Sequence, residues 1–558
     1  MKPLLAIKNL SVSFKNGNIT NQVLFDLNYQ VNKGKILGVV GESGSGKSVA
    51  NLAVLGLLNN KKTQISGEIL FQADSGEINL LTQTTKQLQA IRAKEIAMIF
   101  QEPMTALNPS LTCGYQVAEV LILHRICTKK EVKNTVISLF EQVKLPRAKQ
   151  LYKQYPHQLS GGQQQRVMIA MAIACKPKIL IADEPTTALD VTVQKEIISL
   201  LKDLQQETGM SIIFVSHDLA LVSEIADTIL VLYQGKIVEM DTAAAIFKNP
   251  QENYTKALIN ARPAMDKRLK KLPTVSDFLN ETIDLTVINN VERIAKHQVL
   301  YSKKPLLEIK ELYKFFGNKK QVVKAVNNVS FQVYEGETLG LVGESGCGKS
   351  TLGKVLLQLE KPTKGNVFYS GQDISKLSKK SLRELRKEIQ IIFQDPYSSL
   401  NPKMMVGEAI LEPLTVHKLY KNKTIRKQKV LEILKRVGLQ EAHYYRYPHE
   451  FSGGQRQRIG IARTVIMQPK LIVCDESVSA LDVSVQAQVL NLLNELKDTF
   501  GFTYIFISHD LAVVKYMADQ LLVMNQGEIE EIGEADAIYK APKRDYTKKL
   551  IDAIPKGI

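Results

Sequence analysis

Short apolar runs recur along the chain, and each one ends at a polar or glycine-rich turn. Ile36–Val40 (ILGVV) is followed by the turn GESGSG and then by the helical pattern KSVANLAVLGLL. The runs IAMIF, KILIA and SIIFVS are of similar length and are likewise followed by polar groups. Short continuous apolar runs that alternate with helical patterns predict buried parallel strands and helices, hence an α/β fold.

The same series of runs and turns occurs twice in the same order. GESGSGKS, which begins at Gly41, returns as GESGCGKS from Gly343, and LSGGQ returns as FSGGQ. The motifs IFQEP, ADEP and SHDLA return as IFQDP, CDES and SHDLA, most of them 292 residues later. A period this long indicates a duplicated domain and not a solenoid of small repeats.

The repeat divides the chain into two domains with a segment between them. We predict a first domain over residues 1–262, a linker or extension over 263–304, and a second domain over 305–558. The first copy carries nine more residues between its GKS and its glutamine, and we interpret them as a longer surface hairpin. The linker carries MDKRLKKL and VERIAKHQVL, two short charged amphipathic pieces without recognisable chemistry.

Composition excludes several classes of protein. No apolar run reaches the roughly 18 residues of a membrane span, and the start MKPLLAIKNLSVSF is too soon polar for a signal peptide. The five cysteines lack any CxxC spacing, which argues against disulfides, zinc and iron–sulfur sites. The formal net charge of +17 suits nucleic acid, an anionic membrane or phosphate ligands, yet the lysines are spread evenly and also fit a plain solvated surface.

The glycine-rich turns have the strand, loop and helix context of a phosphate-binding P-loop. Glycines let backbone N–H groups approach phosphate oxygens, while Lys47 reaches the β and γ phosphates and Ser48 ligates magnesium. The predicted nucleotide-binding residues are Gly41, Glu42, Ser43, Gly44, Ser45, Gly46, Lys47 and Ser48 in the first copy, and Gly343, Glu344, Ser345, Gly346, Cys347, Gly348, Lys349, Ser350 and Thr351 in the second.

Two adjacent acids end the KILIAD and LIVCD strands. Burying such acids is costly unless they meet a cation or a polarised water. Asp183 and Asp475 therefore suit magnesium, and Glu184 and Glu476 suit the general base for an attacking water.

Other polar residues follow the remaining strands. His217 and His509 end the two SHD strands and are interpreted as γ-phosphate sensors, although a lone strand-end histidine is usually structural. Gln101 and Gln394 suit a magnesium ligand or a water holder, with a plain strand cap as the alternative. Phe14 and Phe316, which we expect just before the first strand of each domain, could stack on adenine or belong to the core.

The order of GESGSGKS, the glutamine loops, LSGGQ, ILIADE and SHD resembles the nucleotide-binding domain of ABC transporters over nearly the whole chain, in two copies. The resemblance implies tandem P-loop α/β domains, each with an antiparallel β-subdomain and an α-helical subdomain, the first over about Glu102 to Gln158. TALNPSLTCGYQVAEVL, DEPTTALDVTVQ and NPQENYTKAL are similar to ATPases of dipeptide and oligopeptide importers, a group that includes nickel and glutathione systems. Some relatives carry a cysteine-rich segment for an iron–sulfur cluster; Arg262 to Lys304 has no cysteine, and we predict no cluster.

The resemblance also implies head-to-tail pairing, in which the SGGQ turn of one half closes over the ATP of the other. A helix start with unpaired N–H donors suits phosphate, and ordinary N-capping by Ser160 is compatible with it. These turns comprise Ser160, Gly161, Gly162 and Gln163 in the first half and Ser452, Gly453, Gly454 and Gln455 in the second. Because neither half lacks its acid or histidine, we expect both sites to hydrolyse ATP with Mg²⁺.

The family further implies the partners. We expect two membrane-spanning permease subunits, an extracytoplasmic solute-binding protein behind them, and a peripheral position on the cytoplasmic face of a bacterial inner membrane. We expect no nucleic-acid partner. The alternative is a tandem ABC ATPase acting on ribosomes or nucleic acid, but such proteins carry a long charged helical linker or zinc-binding cysteines, and this chain carries neither. Nickel or glutathione in place of a peptide stays open as the imported solute.

Overall fold

The computed structural model describes residues 2–17, 19–59, 62–187, 189–318, 321–395, 397–479, 481–555 and 557. It contains two compact units, the first made of residues 1–189, 193–259 and 555–558, the second of 190–192 and 260–554. The segment 263–304 falls within the second unit, and the predicted domain boundaries stay predictions. Across the described ranges, no helix is long and apolar enough to cross a membrane.

The described residues of the first unit form ten strands in two sheets. They are β1 Leu5–Asn16, β2 Ile19–Val31, β3 Ile36–Val40, β4 Thr63–Ala73, β5 Gly76–Asn79, β6 Ile96–Ile99, β7 Ile179–Asp183, β8 Ser211–Ser216, β9 Thr228–Tyr233 and β10 Lys236–Thr242. One sheet has the order β2-β1-β4-β5 with antiparallel neighbours, and the other has the order β10-β9-β3-β8-β7-β6. In the second sheet all neighbours are parallel except β9 and β10.

The helices of the first unit alternate with its strands along the sequence. They are α1 Lys47–Val54, α2 Thr85–Ile91, α3 Pro103–Ala106, α4 Cys113–Leu123, α5 Val132–Gln142, α6 Ala148–Leu151, α7 Gly161–Ile173, α8 Val191–Thr208, α9 Leu219–Ser223, α10 Ala243–Lys248 and α11 Asn253–Asn260. α3 to α6 form the helical region predicted over Glu102 to Gln158.

The described part of the second unit repeats this plan after the helices α12 Val275–Leu279 and α13 Asn290–Tyr301, which have no counterpart in the described part of the first. Its strands are β11 Pro305–Asn318, β12 Gln321–Tyr334, β13 Thr338–Val342, β14 Lys364–Tyr369, β15 Gln372–Asp373, β16 Ile389–Ile392, β17 Leu471–Asp475, β18 Thr503–Ile507, β19 Gln520–Asn525 and β20 Glu528–Glu534. The sheet orders are β12-β11-β14-β15 and β16-β17-β18-β13-β19-β20. The hairpin β14–β15 is shorter than β4–β5, which confirms the predicted longer hairpin in the first copy.

The remaining helices of the second unit correspond to those of the first, except that α3 and α6 have no α-helical counterpart among the described residues. They are α14 Lys349–Leu356, α15 Lys379–Leu385, α16 Val406–Val416, α17 Lys423–Arg436, α18 Gly453–Val465, α19 Val483–Phe500, α20 Leu511–Met517, α21 Ala535–Lys540 and α22 Asp545–Asp552. The predicted α/β class with an antiparallel sheet and a helical region in each copy is confirmed.

Burial explains why the apolar runs form strands. Every residue of β3, β7 and β8 is buried, and so is every residue of their counterparts β13, β17 and β18. Parallel strands covered on both faces read as continuous apolar runs, since neither face meets water. Because the strands run parallel, their carboxyl ends lie at one edge of the sheet, where polar loops gather.

Candidate nucleotide sites

The predicted site residues follow four neighbouring strands of each parallel sheet. In the first unit the P-loop follows β3, Gln101 follows β6, Glu184 follows β7 and His217 follows β8. The second unit places its counterparts after β13, β16, β17 and β18. The parallel sheet thus brings residues far apart in sequence to one edge.

Glycine is required at the last P-loop position before each helix. Gly348 precedes α14 with φ 109°, and a Cβ there would lie 2.0 Å from the carbonyl oxygen of Ala325. Gly46 before α1 has φ 105°, and a Cβ there would lie 2.4 Å from Leu24 Cδ2. Only glycine combines this backbone with such a close approach, and the loop therefore turns sharply into the helix.

The P-loop lysines are buried and bend back over their own loops. Lys47 Nζ donates to the carbonyl oxygens of Gly41 at 2.7 Å and Glu42 at 2.9 Å. Lys349 does the same with Gly343 and Glu344, at the same two distances. A buried ammonium held at the mouth of a glycine loop is suited to meet phosphate oxygens.

The second acid of each pair is the centre of a hydrogen-bonded group. The Glu184 carboxylate accepts from Gln101 Nε2 at 3.0 Å and Thr187 Oγ1 at 2.9 Å, and His217 Nδ1 lies 3.4 Å away. Burial raises the pKa of Glu184, but His217, Lys47 and Thr187 outweigh it and lower that pKa to about 2. A carboxylate fixed by a glutamine and a histidine can orient and deprotonate a water.

The second unit repeats the group with one substitution. Gln394 Nε2 donates to Glu476 at 2.7 Å, and His509 Nδ1 lies 3.5 Å from the same oxygen. Burial raises the pKa of Glu476, while His509 and Lys349 lower it below its ordinary value. Ser479, at the place of Thr187, donates to the backbone oxygen of Glu476.

Both acids also share a backbone conformation. Glu184 has φ 48° and Glu476 has φ 47°, in the left-handed region that non-glycine residues rarely adopt. Strain of this kind concentrates at functional sites, where surrounding contacts hold it in place.

The first acid of each pair faces the P-loop serine. Ser350 Oγ donates to Asp475 Oδ1 at 3.0 Å, and the Ser48 hydroxyl hydrogen-bonds Asp183. Burial raises the pKa of both aspartates. The remaining oxygen of Asp183, Oδ1, is buried without a hydrogen-bond partner among the described residues.

The two SGGQ turns start α7 and α18 and carry reciprocal caps. Ser160 Oγ accepts from the Gln163 amide at 3.4 Å, and Gln163 Oε1 accepts from the Ser160 amide at 3.1 Å. Ser452 and Gln455 have the same pair of bonds. The N-capping role considered for Ser160 is thus confirmed, and it is compatible with a ligand role for the turn.

The two glycines of each turn differ in what surrounds them. A Cβ on Gly454 would lie 2.3 Å from Val485 Cγ1, and one on Gly162 would lie 2.7 Å from Val193 Cγ1. A Cβ on Gly453 would meet no described atom within 4 Å, and one on Gly161 only Leu189 at 3.5 Å. Packing therefore explains the second glycine of each turn but not the first.

The aromatic prediction needs a correction. Phe14 and Phe316 do not precede the first strands: they lie inside β1 and β11. Phe14 packs against the core, which fits the core alternative, whereas Phe316 is 41% exposed with Lys314 Nζ 4.7 Å above its ring. Both strands run further than the apolar pattern showed, because each continues past its core-facing residues into a hairpin.

Two tyrosines at the P-loops were missed by sequence reasoning. Tyr254 Oη accepts from the Glu42 amide at 3.1 Å, and Tyr546 Oη accepts from the Glu344 amide at 3.0 Å. Each belongs to the repeated tail motif YTK, on α11 or α22. That repeat is the signal in the sequence, but it does not reveal a contact between residues about 200 positions apart.

Comparison with known proteins agrees with this geometry. The family model described as ABC transporter matches residues 24–187 and 326–479. The chain belongs to the ABC transporter family. The model of the oligopeptide/dipeptide transporter C-terminal region matches residues 238–284 and 531–557, and the chain is the ATP-binding subunit of an importer of this class.

Its relatives include the glutathione import ATP-binding protein GsiA of Pectobacterium atrosepticum, 43% identical over 99% of this chain and 90% of that protein. GsiA of Escherichia coli strain K12 is 45% identical over 99% and 89%. A dimeric ATP-binding cassette solved in a post-hydrolysis state with ADP and Pi is 29% identical over 41% of this chain and 98% of that one, with a TM-score of 0.38.

Proposed function

We propose that this ATPase subunit drives solute import by closing two composite ATP sites, each built from the P-loop side of one half and the SGGQ turn of the other. The observation that carries the proposal is the twofold group of glutamine, glutamate and histidine beside a P-loop. Domains 1–262 and 305–558 would be the closing bodies, and residues 263–304 join them along the sequence.

Within a site, Glu184 and Glu476 would take the proton of the attacking water. The hydrogen bond from His217 and the charge of Lys47 lower the pKa of Glu184 and keep it ionised before ATP binds. A triphosphate beside Lys47 offsets part of that charge, and the basicity of Glu184 then rises when the base is needed. His217 and Gln101 hold the carboxylate in place and would meet the γ-phosphate and the water.

The aspartate and serine beside each P-loop fit Mg²⁺. Asp183 has a buried oxygen without a described hydrogen-bond partner, next to the Ser48 hydroxyl, and hard oxygen donors of this kind suit Mg²⁺. We assign Ser48, Asp183 and Gln101 to one ion and Ser350, Asp475 and Gln394 to the other. When bound, such an ion would supply positive charge that offsets the negative charge of the phosphates.

The SGGQ turns would supply the opposite wall of each site. Each turn begins with an exposed serine and an exposed glycine and leads into a thirteen-residue helix. Local packing does not explain the small size of that first glycine. The positive end of the helix dipole and close backbone N–H groups suit the γ-phosphate. Ser452 to Gln455 would close over Gly41 to Ser48, and Ser160 to Gln163 over Gly343 to Ser350.

Cysteine crosslinking tests whether each SGGQ turn closes over the P-loop of the other half. It uses the variant with Glu184→Gln and Glu476→Gln, which should bind ATP without hydrolysing it. Cys127, which is only partly buried, is first replaced by serine. Ser43→Cys with Ser452→Cys should crosslink through a short bifunctional reagent when ATP is present. The matched control, Ser43→Cys with Ser160→Cys, pairs two positions of the same half and should not. Equal crosslinking of both pairs, or none with ATP, contradicts head-to-tail closure.

Exposed apolar residues beside the glutamine loops suggest where membrane subunits dock. Leu57 is 44% and Phe100 42% exposed in the first unit, and their counterparts Leu359 and Phe393 are 48% and 45% exposed in the second. In the second unit a cavity of about 390 Å³ lies here, lined by Leu359, Phe393, Pro413, Arg386, Glu412 and Arg463. An apolar floor with charges at its edge suits an amphipathic helix. We propose that a cytoplasmic helix of one permease subunit docks at Leu359 and Phe393, and that a helix of the other docks at Leu57 and Phe100.

Peptides are the proposed solute class, with glutathione, itself a tripeptide, as the candidate that the named relatives favour. The chain would act at the cytoplasmic face of the membrane, with the permeases linking it to a solute-binding protein. Co-purification of the tagged chain with membrane subunits, then peptide and glutathione uptake in their presence, tests this. Recovery with ribosomes, or uptake independent of Glu184 and Glu476, contradicts it.

A further inference from the structure

The segment 263–301, named here the strap, is folded into the second unit. Residues 268–270 run antiparallel to residues 286–288, joined by backbone hydrogen bonds of 2.8 and 2.9 Å. In the sequence, α12 precedes residues 286–288 and α13 follows them. Leu272 is 1% exposed within the core that contains α19 and α20. Asn491 of α19 pairs with both the amide and the carbonyl of Leu272. The strap is therefore an ordered part of the unit.

Two strap arginines hold the carboxyl end of α20. Arg268 Nη1 donates to the carbonyl oxygens of Tyr516 at 2.9 Å and Ala518 at 3.0 Å. Arg293 Nη2 donates to the Ala518 oxygen at 3.3 Å, and both guanidiniums bind Asp536. Cationic side chains at the end of a helix donate to its last carbonyl oxygens, which lack partners within the helix, and interact favourably with the helix dipole. α20 follows His509 after a single residue, Asp510, whose side chain caps the start of the helix.

The strap also contacts the start of β13, the strand that leads into the second P-loop. His297 Nε2 lies 3.2 Å from Asp519 Oδ1, and Asp519 Oδ2 accepts from the Thr338 amide at 2.8 Å. Tyr301 Oη donates to the buried Glu337 at 3.2 Å. The strap thus binds the base of the P-loop strand and the helix behind His509 at once.

The first unit has a different set of residues at the corresponding places. The strap's arginines pair with two acids, Asp536 and Glu534, the latter 2.7 Å from Arg293 Nη2. Their counterparts in the first unit are Ala244 and Thr242. Where the second unit has Glu337, the first has Lys35, whose ammonium lies 2.9 Å from Asp227 at the surface. The acids that receive the strap's arginines are therefore a property of the second unit.

We propose that the strap positions α20, and through it His509, so that turnover at the second ATP site depends on Arg268 and Arg293 while turnover at the first does not. This rests on the catalytic roles proposed above for His509 and Glu476. Arg268 and Arg293 are positioning residues: they hold the helix that follows the histidine and touch no reacting atom.

The test measures ATPase rates of the full chain in two single-site backgrounds. Glu184→Gln leaves the second site active, and Glu476→Gln leaves the first. Arg268→Ala should lower kcat at least fivefold in the Glu184→Gln background, with KM for ATP changed less than twofold, and should change kcat less than twofold in the other. Arg268→Lys should restore part of the rate. Lys271→Ala, an exposed strap position, is the matched control.

Hydrogen exchange supplies a readout that does not depend on coupling between sites. Arg268→Ala should speed exchange of residues 511–517 at least tenfold and leave residues 219–223 unchanged, with the far-ultraviolet circular dichroism of the wild type. Equal loss of turnover in both backgrounds, or unchanged exchange of α20, overturns the strap proposal alone. If Glu184→Gln and Glu476→Gln together leave wild-type turnover, the catalytic assignment fails instead.

Discussion

Gly453→Ala tests whether the first glycine of the SGGQ turn is needed for ligand binding or only for folding. The new Cβ would meet no described atom within 4 Å, and the residue lies outside the left-handed region, so that the folded unit has room for it. Alanine is favoured over glycine in helices by up to about 1 kcal/mol, and the variant should be as stable as the wild type or slightly more stable.

The expected loss lies in catalysis. If the first glycine of the turn approaches the γ-phosphate of the other half, a methyl group there displaces the turn by about 1 Å. A misplacement of that size costs on the order of 100-fold in rate, and we expect the ATPase rate to fall ten- to 100-fold.

Steady-state ATPase assays and thermal unfolding of the isolated chain measure the two effects. Gly460→Ala is the matched control, because it lies in the same helix and its Cβ would also meet no described atom within 4 Å. It should show the gain in stability and keep its ATPase rate. A Gly453→Ala variant with wild-type turnover would refute the reasoning that this glycine is kept for a ligand.

Three further results are expected. His217→Ala removes the interactions with His217 that help to lower the pKa of Glu184 to about 2. The acid limb of the ATPase pH profile, measured with Glu476→Gln, should therefore move to higher pH, and an unmoved limb would contradict this. Tyr254→Phe deletes the acceptor for the Glu42 amide and should raise KM for ATP several-fold, whereas equal KM would leave the tyrosine structural. Burial raises the pKa of Glu337 from 4.5 to about 7, so that the folded second unit binds this proton more tightly than the unfolded chain does. The free energy of unfolding of the second unit should therefore fall by up to about 3 kcal/mol as pH rises from 4.5 to 7. In the Glu337→Gln variant, the midpoint of urea unfolding should change less with pH across that range.

Much of this architecture could be predicted from the sequence because its parallel strands are buried on both faces. Ile179–Asp183 and Ser211–Ser216 read as unbroken apolar runs and end at the predicted polar residues. The site residues could be found for the same reason, since each follows such a strand. The twofold occurrence of every motif then separated function from chance.

Contacts set by tertiary packing could not be found that way. Tyr254 reaches Glu42 from a tail helix, and the strap's arginines reach carbonyls that no side-chain pattern reveals. The pieces MDKRLKKL and VERIAKHQVL predict only a linker or extension, because the sequence does not show which few of their charges are buried. Only the folded chain shows that Arg268 and Arg293 face inward.

The strap also dictates where this protein can be divided into two polypeptides. It follows the first half in the sequence but belongs, by its contacts, with the second. A gene split near residue 262 would leave the strap attached to the unit it folds with, whereas a split near residue 304 would cut it from that unit and expose Glu337 and Asp519. Any exchange of halves between related importers should therefore move residues 263–301 together with the second half.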